Sequence, residues 1–96
     1  MLQSRLLDVD VICQFSQEGN IIPLRIRVKD EEGEFHIYTI KGYRDLSHQG
    51  EKMMPDGVYV TDQTLVFECR IHVFERMKVV RLYYEPAHLS WKMTSA

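Results

Sequence analysis

The sequence has few of the features that identify many classes of protein. Its 96 residues include two cysteines, three prolines and five glycines. No apolar run approaches the roughly 18 residues that span a membrane as a helix. The N-terminal residues lack the apolar centre of a signal peptide. We therefore expect a cytoplasmic protein that does not associate with membranes.

An excess of charge of either sign is also missing. The 12 lysines and arginines face 14 aspartates and glutamates, which gives a formal charge of −2. This balance excludes a histone-like protein that is held on nucleic acid by its overall charge. Any basic surface must therefore be local.

The two cysteines are too few for the disulfide framework of a small secreted domain. Cys13 and Cys69 each lie on the apolar phase of an alternating segment. We therefore expect both to be free, buried thiols, because burial in an apolar core leaves a thiol unreactive. A single disulfide between them is the alternative.

Motifs of common catalytic and metal sites are absent as well. The sequence contains no HxH, HExxH or CxxC motif, no calcium-binding loop and no glycine-rich phosphate loop. We predict a non-enzymatic protein without a cofactor or metal. An enzyme with a site centred on His48 and Asp45 is the least favoured alternative, because the spacing of these residues matches no known hydrolytic or metal site.

What the sequence does contain is apolar residues at every second position, the pattern of half-buried β-strands. It predicts strands over 9–15, 22–29, 35–41, 58–60, 65–74, 78–85 and 89–93. Pro23 lacks an amide hydrogen, so we expect it at a sheet edge or a bulge. The residues predicted to share one core are Leu24, Ile26, Phe67, Ile71, Leu82 and Trp91.

The alternation stops between Gly42 and Gly57, which predicts a long loop over 42–57, with a short helical turn at 43–47 as an option. Seven strands without a helix indicate a single all-β domain over residues 1–96. A small antiparallel barrel of six to seven strands, of the SH3-like kind, is the predicted architecture. An open β-sandwich is the alternative.

Several segments resemble short bacterial β-rich proteins of unknown function. They are Ile22-Pro23-Leu24-Arg25-Ile26, Gly33-Glu34-Phe35, Val80-Arg81-Leu82-Tyr83-Tyr84-Glu85 and Trp91. The resemblance is consistent with a β-rich fold, and it implies no activity, cofactor or site residue.

One group of candidate binding residues lies in or beside the predicted loop. Exposed aromatic and flexible apolar side chains commonly form protein interfaces. The alternative for these side chains is a lid over one end of the barrel. The group predicts contact with a protein partner or with a second copy of the chain, and consists of Tyr43, Met53, Met54 and Tyr59.

A second group is basic. Arg25, Arg27 and Lys29 share the outward phase of one strand, and Arg70 has the same phase in a later strand. Adjacent strands would unite the four into a band that contacts phosphates, with His36, Tyr38 and Tyr83 beside it as stacking surfaces for bases. The alternative is a solvated face that is neutralised across strands by Glu34, Glu68 and Glu85. Protein binding is thus our first hypothesis and nucleic-acid binding the second.

Overall fold

The computed structural model describes residues 6–95, which form eight strands. The strands are β1 (Leu7–Phe15), β2 (Ile21–Lys29), β3 (Phe35–Asp45), β4 (Lys52–Met53), β5 (Tyr59–Val60), β6 (Leu65–Val73), β7 (Arg76–Glu85) and β8 (Ser90–Ser95). Six of them close into an antiparallel barrel in the order β1-β2-β3-β6-β7-β8. The predicted all-β barrel is confirmed. No helix within the described range is long and apolar enough to cross a membrane.

The barrel closes because β8 returns to β1, with Met93 opposite Leu7 and Trp91 opposite Val9. One face of every barrel strand points inward and forms the main core. Its buried members are Val9, Ile26, Phe67, Cys69, Ile71, Val80, Leu82 and Met93. Trp91 is half-buried and packs on this core, with its ring centroid 6.1 Å from that of Phe67. Except for Leu24, the predicted core residues therefore lie in or against the barrel interior.

Leu24 was predicted to be inside, but its side chain is 39% exposed, whereas Pro23 is fully buried. Arg25 pairs with Ile12 and Pro23 pairs with Cys13, so Leu24 is an extra residue on β2. Such a bulge shifts the inward phase by one residue. The placement of Pro23 beside a bulge agrees with its missing amide hydrogen.

The predicted loop over 42–57 is wrong at both ends. Strand β3 continues to Asp45, past a second bulge between Ile40 and Gly42 that interrupts the alternation without ending the strand. The helical turn considered for 43–47 is therefore not formed. Near the other end, Lys52 pairs with Val60 and Met53 pairs with Tyr59 in the β4–β5 hairpin.

The β4–β5 hairpin packs on the outer wall of the barrel. Val66 on β6 and Tyr83 on β7 form a cross-strand pair whose neighbours, Phe67 and Leu82, face inward. Val66 and Tyr83 thus point outward, and Met54 and Val60 of the hairpin cover them in a second small core. The segment therefore covers the side of the barrel instead of one of its open ends.

Candidate functional site

The structure divides the predicted apolar group. Met54 is buried in the second core, while Met53 and Tyr59 are an exposed cross-strand pair on the hairpin. Tyr43 lies apart from them on β3 and meets the ring of Phe67 edge-on at 6.1 Å between centroids. The four residues therefore do not form one binding surface.

The predicted basic band is also divided. Strand β3 lies between β2 and β6, so Arg70 is separated from Arg25, Arg27 and Lys29. The guanidinium of Arg70 instead lies over Gly42, where an added Cβ would be 2.4 Å from its Nη2 atom. Tyr83 is buried beneath the hairpin and is not available as a stacking surface.

The acidic residues that neutralise these cations differ from the predicted ones. Asp10 Oδ2 accepts hydrogen bonds from Arg27 Nε at 2.9 Å and from Arg27 Nη2 at 2.6 Å. Glu68 pairs with Arg44 and Arg81, and Glu85 accepts a hydrogen bond from Thr64. Within residues 6–95, neither Arg25 nor Lys29 has an ion-pair partner. Arg25 and Lys29 on β2 thus carry positive charges that no ion pair within residues 6–95 neutralises.

The outward side chains of β1, β2 and β3 form a mixed apolar and charged surface, which we call the β1–β3 face. Its apolar members are Ile12, Phe35 and Ile37, which are 57%, 53% and 63% exposed. Cross-strand register places Arg27 between Asp10 and Ile37, and Arg25 between Ile12 and Thr39. The β1–β3 face comprises Asp8, Asp10, Ile12, Arg25, Arg27, Lys29, Phe35 and Ile37.

Two hollows lie next to each other on the β1–β3 face. One, of about 270 Å³, is lined by residues that include Ile12, Arg25 and Ile37. The other, of about 290 Å³, is lined by residues that include Lys29 and Phe35. Arg27 lines both hollows, and its Cζ lies 4.3 Å from the centroid of the Phe35 ring. Arg27 therefore separates two recesses, each with an apolar and a cationic side.

The sequence did carry a signal for the β1–β3 face. Ile12 lies on the polar phase of β1, between Asp10 and Gln14, and Ile37 lies opposite Arg27 on an outward position of β3. Large apolar residues in outward positions are informative when they gather into one patch. The patch became visible only when the structure placed β1 and β3 on either side of β2.

The residues considered for enzyme chemistry have separate contacts. Asp45 Oδ1 accepts a hydrogen bond from the backbone N–H of Ser47 at 2.9 Å, and His48 Nδ1 lies 3.0 Å from the carbonyl oxygen of Asp62. In the part of the chain that the structure describes, no three His, Cys, Asp or Glu side chains are grouped to hold a metal ion.

Both cysteines are free, as expected, but only Cys69 is buried, whereas Cys13 was expected to be buried and is half-buried. Cys69 is fully buried in the barrel. Burial raises its pKa to about 12, with a further contribution from Glu68. Burial also raises the pKa of the half-buried Cys13 thiol. Neither site favours a thiolate.

A buried polar cluster fixes the β4–β5 hairpin to the barrel. The Asp56 side chain, at the hairpin turn, is 3% exposed. Its Oδ2 atom accepts hydrogen bonds from Tyr83 OH at 2.6 Å and from Thr94 Oγ1 at 2.5 Å, and lies 3.2 Å from Arg81 Nη1. Burial alone raises the pKa of Asp56, but the hydrogen bonds and the charge of Arg81 outweigh it and lower that pKa below its usual value. The sequence showed Asp56 only as a residue of a Pro-Asp-Gly turn.

The β1–β3 face thus combines exposed apolar groups, unpaired cations and two recesses. The side chains of the Asp56 cluster, in contrast, bond to one another within the chain. Comparisons of this chain with known protein families, with characterised proteins and with solved structures give no match.

Proposed function

We propose that this protein is a non-enzymatic binding module whose β1–β3 face takes an acidic segment of a partner protein. The observation that carries the proposal is the placement of three exposed apolar side chains beside Arg25 and Lys29, both unpaired within residues 6–95. An occupant with large apolar side chains and flanking carboxylates complements both properties.

Apolar contact supplies the larger part of the expected affinity. Burying a side chain such as Ile37 or Phe35, together with its counterpart, stabilises a complex by roughly 1.5 to 3 kcal/mol for each fully buried side chain. Carboxylates placed near Arg25 and Lys29 mainly increase the association rate and the specificity. The same residues therefore provide affinity and select for acidic partners.

Nucleic-acid binding is the second candidate, because Phe35 offers an exposed ring between Arg27 and Lys29. Exposed aromatic rings beside cations are stacking platforms for unpaired bases. Two features favour the protein partner instead. Arg27 already covers the ring of Phe35, and the exposed side chains of Ile12 and Ile37 offer apolar area to a partner side chain but no contact to a phosphate.

Selection of peptides by the full-length chain tests the first candidate. A library of random peptides should be enriched in sequences that carry Asp or Glu around Leu, Ile, Phe or Trp. Ile37→Asp and Arg25→Glu should each weaken a selected peptide at least about tenfold, which corresponds to 1.4 kcal/mol. Met53→Asp, an exposed change on the opposite hairpin, is the matched control. Equal binding by Ile37→Asp and the unmodified chain would show that the β1–β3 face is not the site.

Titration with single-stranded DNA and RNA separates the two candidates. Phosphate-dominated binding weakens steeply as salt rises, whereas a contact with a large apolar part weakens much less. Binding of an oligonucleotide at low salt that is lost in Lys29→Glu would favour the nucleic-acid hypothesis.

We further propose that the barrel belongs to the SH3-like class and that the protein works in the cytoplasm. Its six antiparallel strands and small closed core support the first proposal. The free thiols of Cys13 and Cys69 support the second, because reducing compartments keep thiols unpaired. Trapping thiols during extraction from cells, followed by mass spectrometry, would show whether both remain reduced.

A further inference from the structure

The turn between β6 and β7 has an unusual residue at its tip. Val73 pairs with Arg76, so Phe74 and Glu75 alone form the turn. Their φ angles are +49° and +66°, which is the left-handed region at both central positions. Two-residue hairpin turns of this kind strongly prefer Asn-Gly, Asp-Gly or Gly-Gly, and a bulky residue there is an outlier.

The fold gains little from Phe74. Its side chain is 93% exposed, so its ring is not stabilised by burial. Asparagine adopts a positive φ more readily than phenylalanine, so a polar turn would serve the hairpin at least as well. An exposed ring on a strained turn is therefore explained better by a contact outside its own chain than by folding.

A cavity that fits an aromatic ring lies at the same end of the barrel. It has a volume of about 190 Å³ and lies where β1 begins and where β2, β6 and β8 end. Its lining is mostly apolar and includes Leu7, Val28, Val73 and Met93. An apolar cavity of about 150 Å³ in another protein binds benzene, so this one has room for a phenyl ring.

Unpaired charges of opposite sign surround this end of the barrel. The β2–β3 turn carries Glu31, Glu32 and Glu34, whereas the β6–β7 hairpin has a net positive charge from Glu75, Arg76 and Lys78. None of these six side chains forms an ion pair within residues 6–95. A two-fold axis at this end would bring the acidic turn of one molecule towards the basic hairpin of another, as a self-complementary interface requires.

We infer that a second copy of the chain is the occupant of this cavity. In the resulting symmetric dimer, Phe74 of each molecule enters the cavity of the other, and the acidic turn of each faces Arg76 and Lys78 of the other. This contact uses an end of the barrel. It borders the β1–β3 face but uses none of the residues of that face, so either proposal can fail without the other.

Sedimentation equilibrium of the full-length chain, over concentrations up to about millimolar, tests the inference. The unmodified chain should form dimers, and Phe74→Asn should raise the dimer dissociation constant at least about tenfold. The thermal midpoint of this variant should be unchanged or higher in the monomer range, because asparagine suits the turn. Phe15→Asn is the matched control, because Phe15 is 74% exposed at the opposite end of the barrel and its removal should leave association unchanged.

Charge exchange at residues outside the cavity lining provides an independent test. Arg76→Glu should weaken the dimer, as should the double change Glu31→Lys with Glu32→Lys, and the triple variant should regain part of the lost affinity. A chain that remains monomeric at all concentrations would overturn the inference. Equal effects of Phe74→Asn and Phe15→Asn would also overturn it.

Discussion

Asp56 shows how one side chain can connect two parts of this fold. It sits on the β4–β5 turn, yet its hydrogen-bond donors, Tyr83 and Thr94, belong to β7 and β8 of the barrel. A buried carboxylate is costly unless charged or polar groups satisfy it. Here those groups come from the barrel wall, so the hairpin and the wall stabilise each other.

The lowered pKa of Asp56 gives a pH dependence with a defined sign. Its stabilising effect is fully present above the ordinary carboxyl pKa of 3.8 and is lost as the pH falls through the lower folded value. Asp56→Asn should cost about 1 to 3 kcal/mol at neutral pH, because the buried donors around it lose a charged acceptor, although Arg81 keeps Glu68 as a partner. Urea melts should show a smaller loss of stability for this variant than for the unmodified chain between about pH 5 and pH 2.

Some acid sensitivity should remain in Asp56→Asn. Hydrogen bonds from Arg44 and Arg81 lower the pKa of Glu68, and a hydrogen bond with His36 lowers that of Asp30. Asp62→Asn, at an exposed position, is the control for a general charge effect. Identical pH profiles of Asp56→Asn and the unmodified chain would contradict the role assigned to Asp56.

Cys69 should resist modification in the folded protein. Its thiol is fully buried and its pKa is raised to about 12, so a reactive thiolate forms only when the barrel opens. We expect iodoacetamide to label the half-buried Cys13 first, as followed by peptide mass spectrometry. Phe67→Ala should accelerate labelling of Cys69 by destabilising the barrel, and labelling of Cys69 as fast as Cys13 in the unmodified chain would contradict this ordering.

Among the elements, β2 shows where alternation predicts inward residues and where it fails. The rule correctly placed Ile26 inside and Arg25 and Arg27 outside. It failed at Leu24, because a bulge depends on how two strands pair and the sequence of one strand does not contain that information. The second bulge, in β3, interrupts the alternation, so for the same reason the sequence did not predict the part of the strand beyond Gly42.

Substitutions in β2 test the bulge directly. Ile26→Ala should cost about 2 to 5 kcal/mol, because it leaves a cavity in the barrel. Leu24→Ala should cost less than about 1 kcal/mol, because much of that side chain already contacts solvent. Equal losses of free energy of unfolding in urea would mean that Leu24 lies inside after all.

At the scale of the whole molecule, closure explains why the barrel was predictable and the candidate site was not. A sheet with one apolar face must cover it, and the six strands of the barrel do so by closing on themselves. The β1–β3 face depends instead on which strands are neighbours. Arg70 shares the phase of Arg25, but β3 lies between their strands, and no pattern in the sequence specifies that order.

Closure also predicts tolerance of circular permutation. Leu7 pairs with Met93, so the start of β1 lies beside β8. A permuted chain with a short linker and new ends between Glu18 and Gly19, in an exposed turn, should fold. Opening the chain between Glu68 and Cys69 should prevent folding, because β6 pairs with strands on both sides. Near-ultraviolet circular dichroism and urea melts distinguish the outcomes, and an unfolded first permutant would contradict the role of closure.

The β4–β5 hairpin packs against β6 and β7 and covers that side of the barrel, so the two sides of the molecule expose different surfaces. A macromolecule that approaches from that direction meets Met53 and Tyr59 on the hairpin instead of the barrel strands themselves. A fluorophore or surface tether attached at position 53 would accordingly leave the β1–β3 face unobstructed. Immobilisation through this position would present every molecule to its ligand in the same orientation.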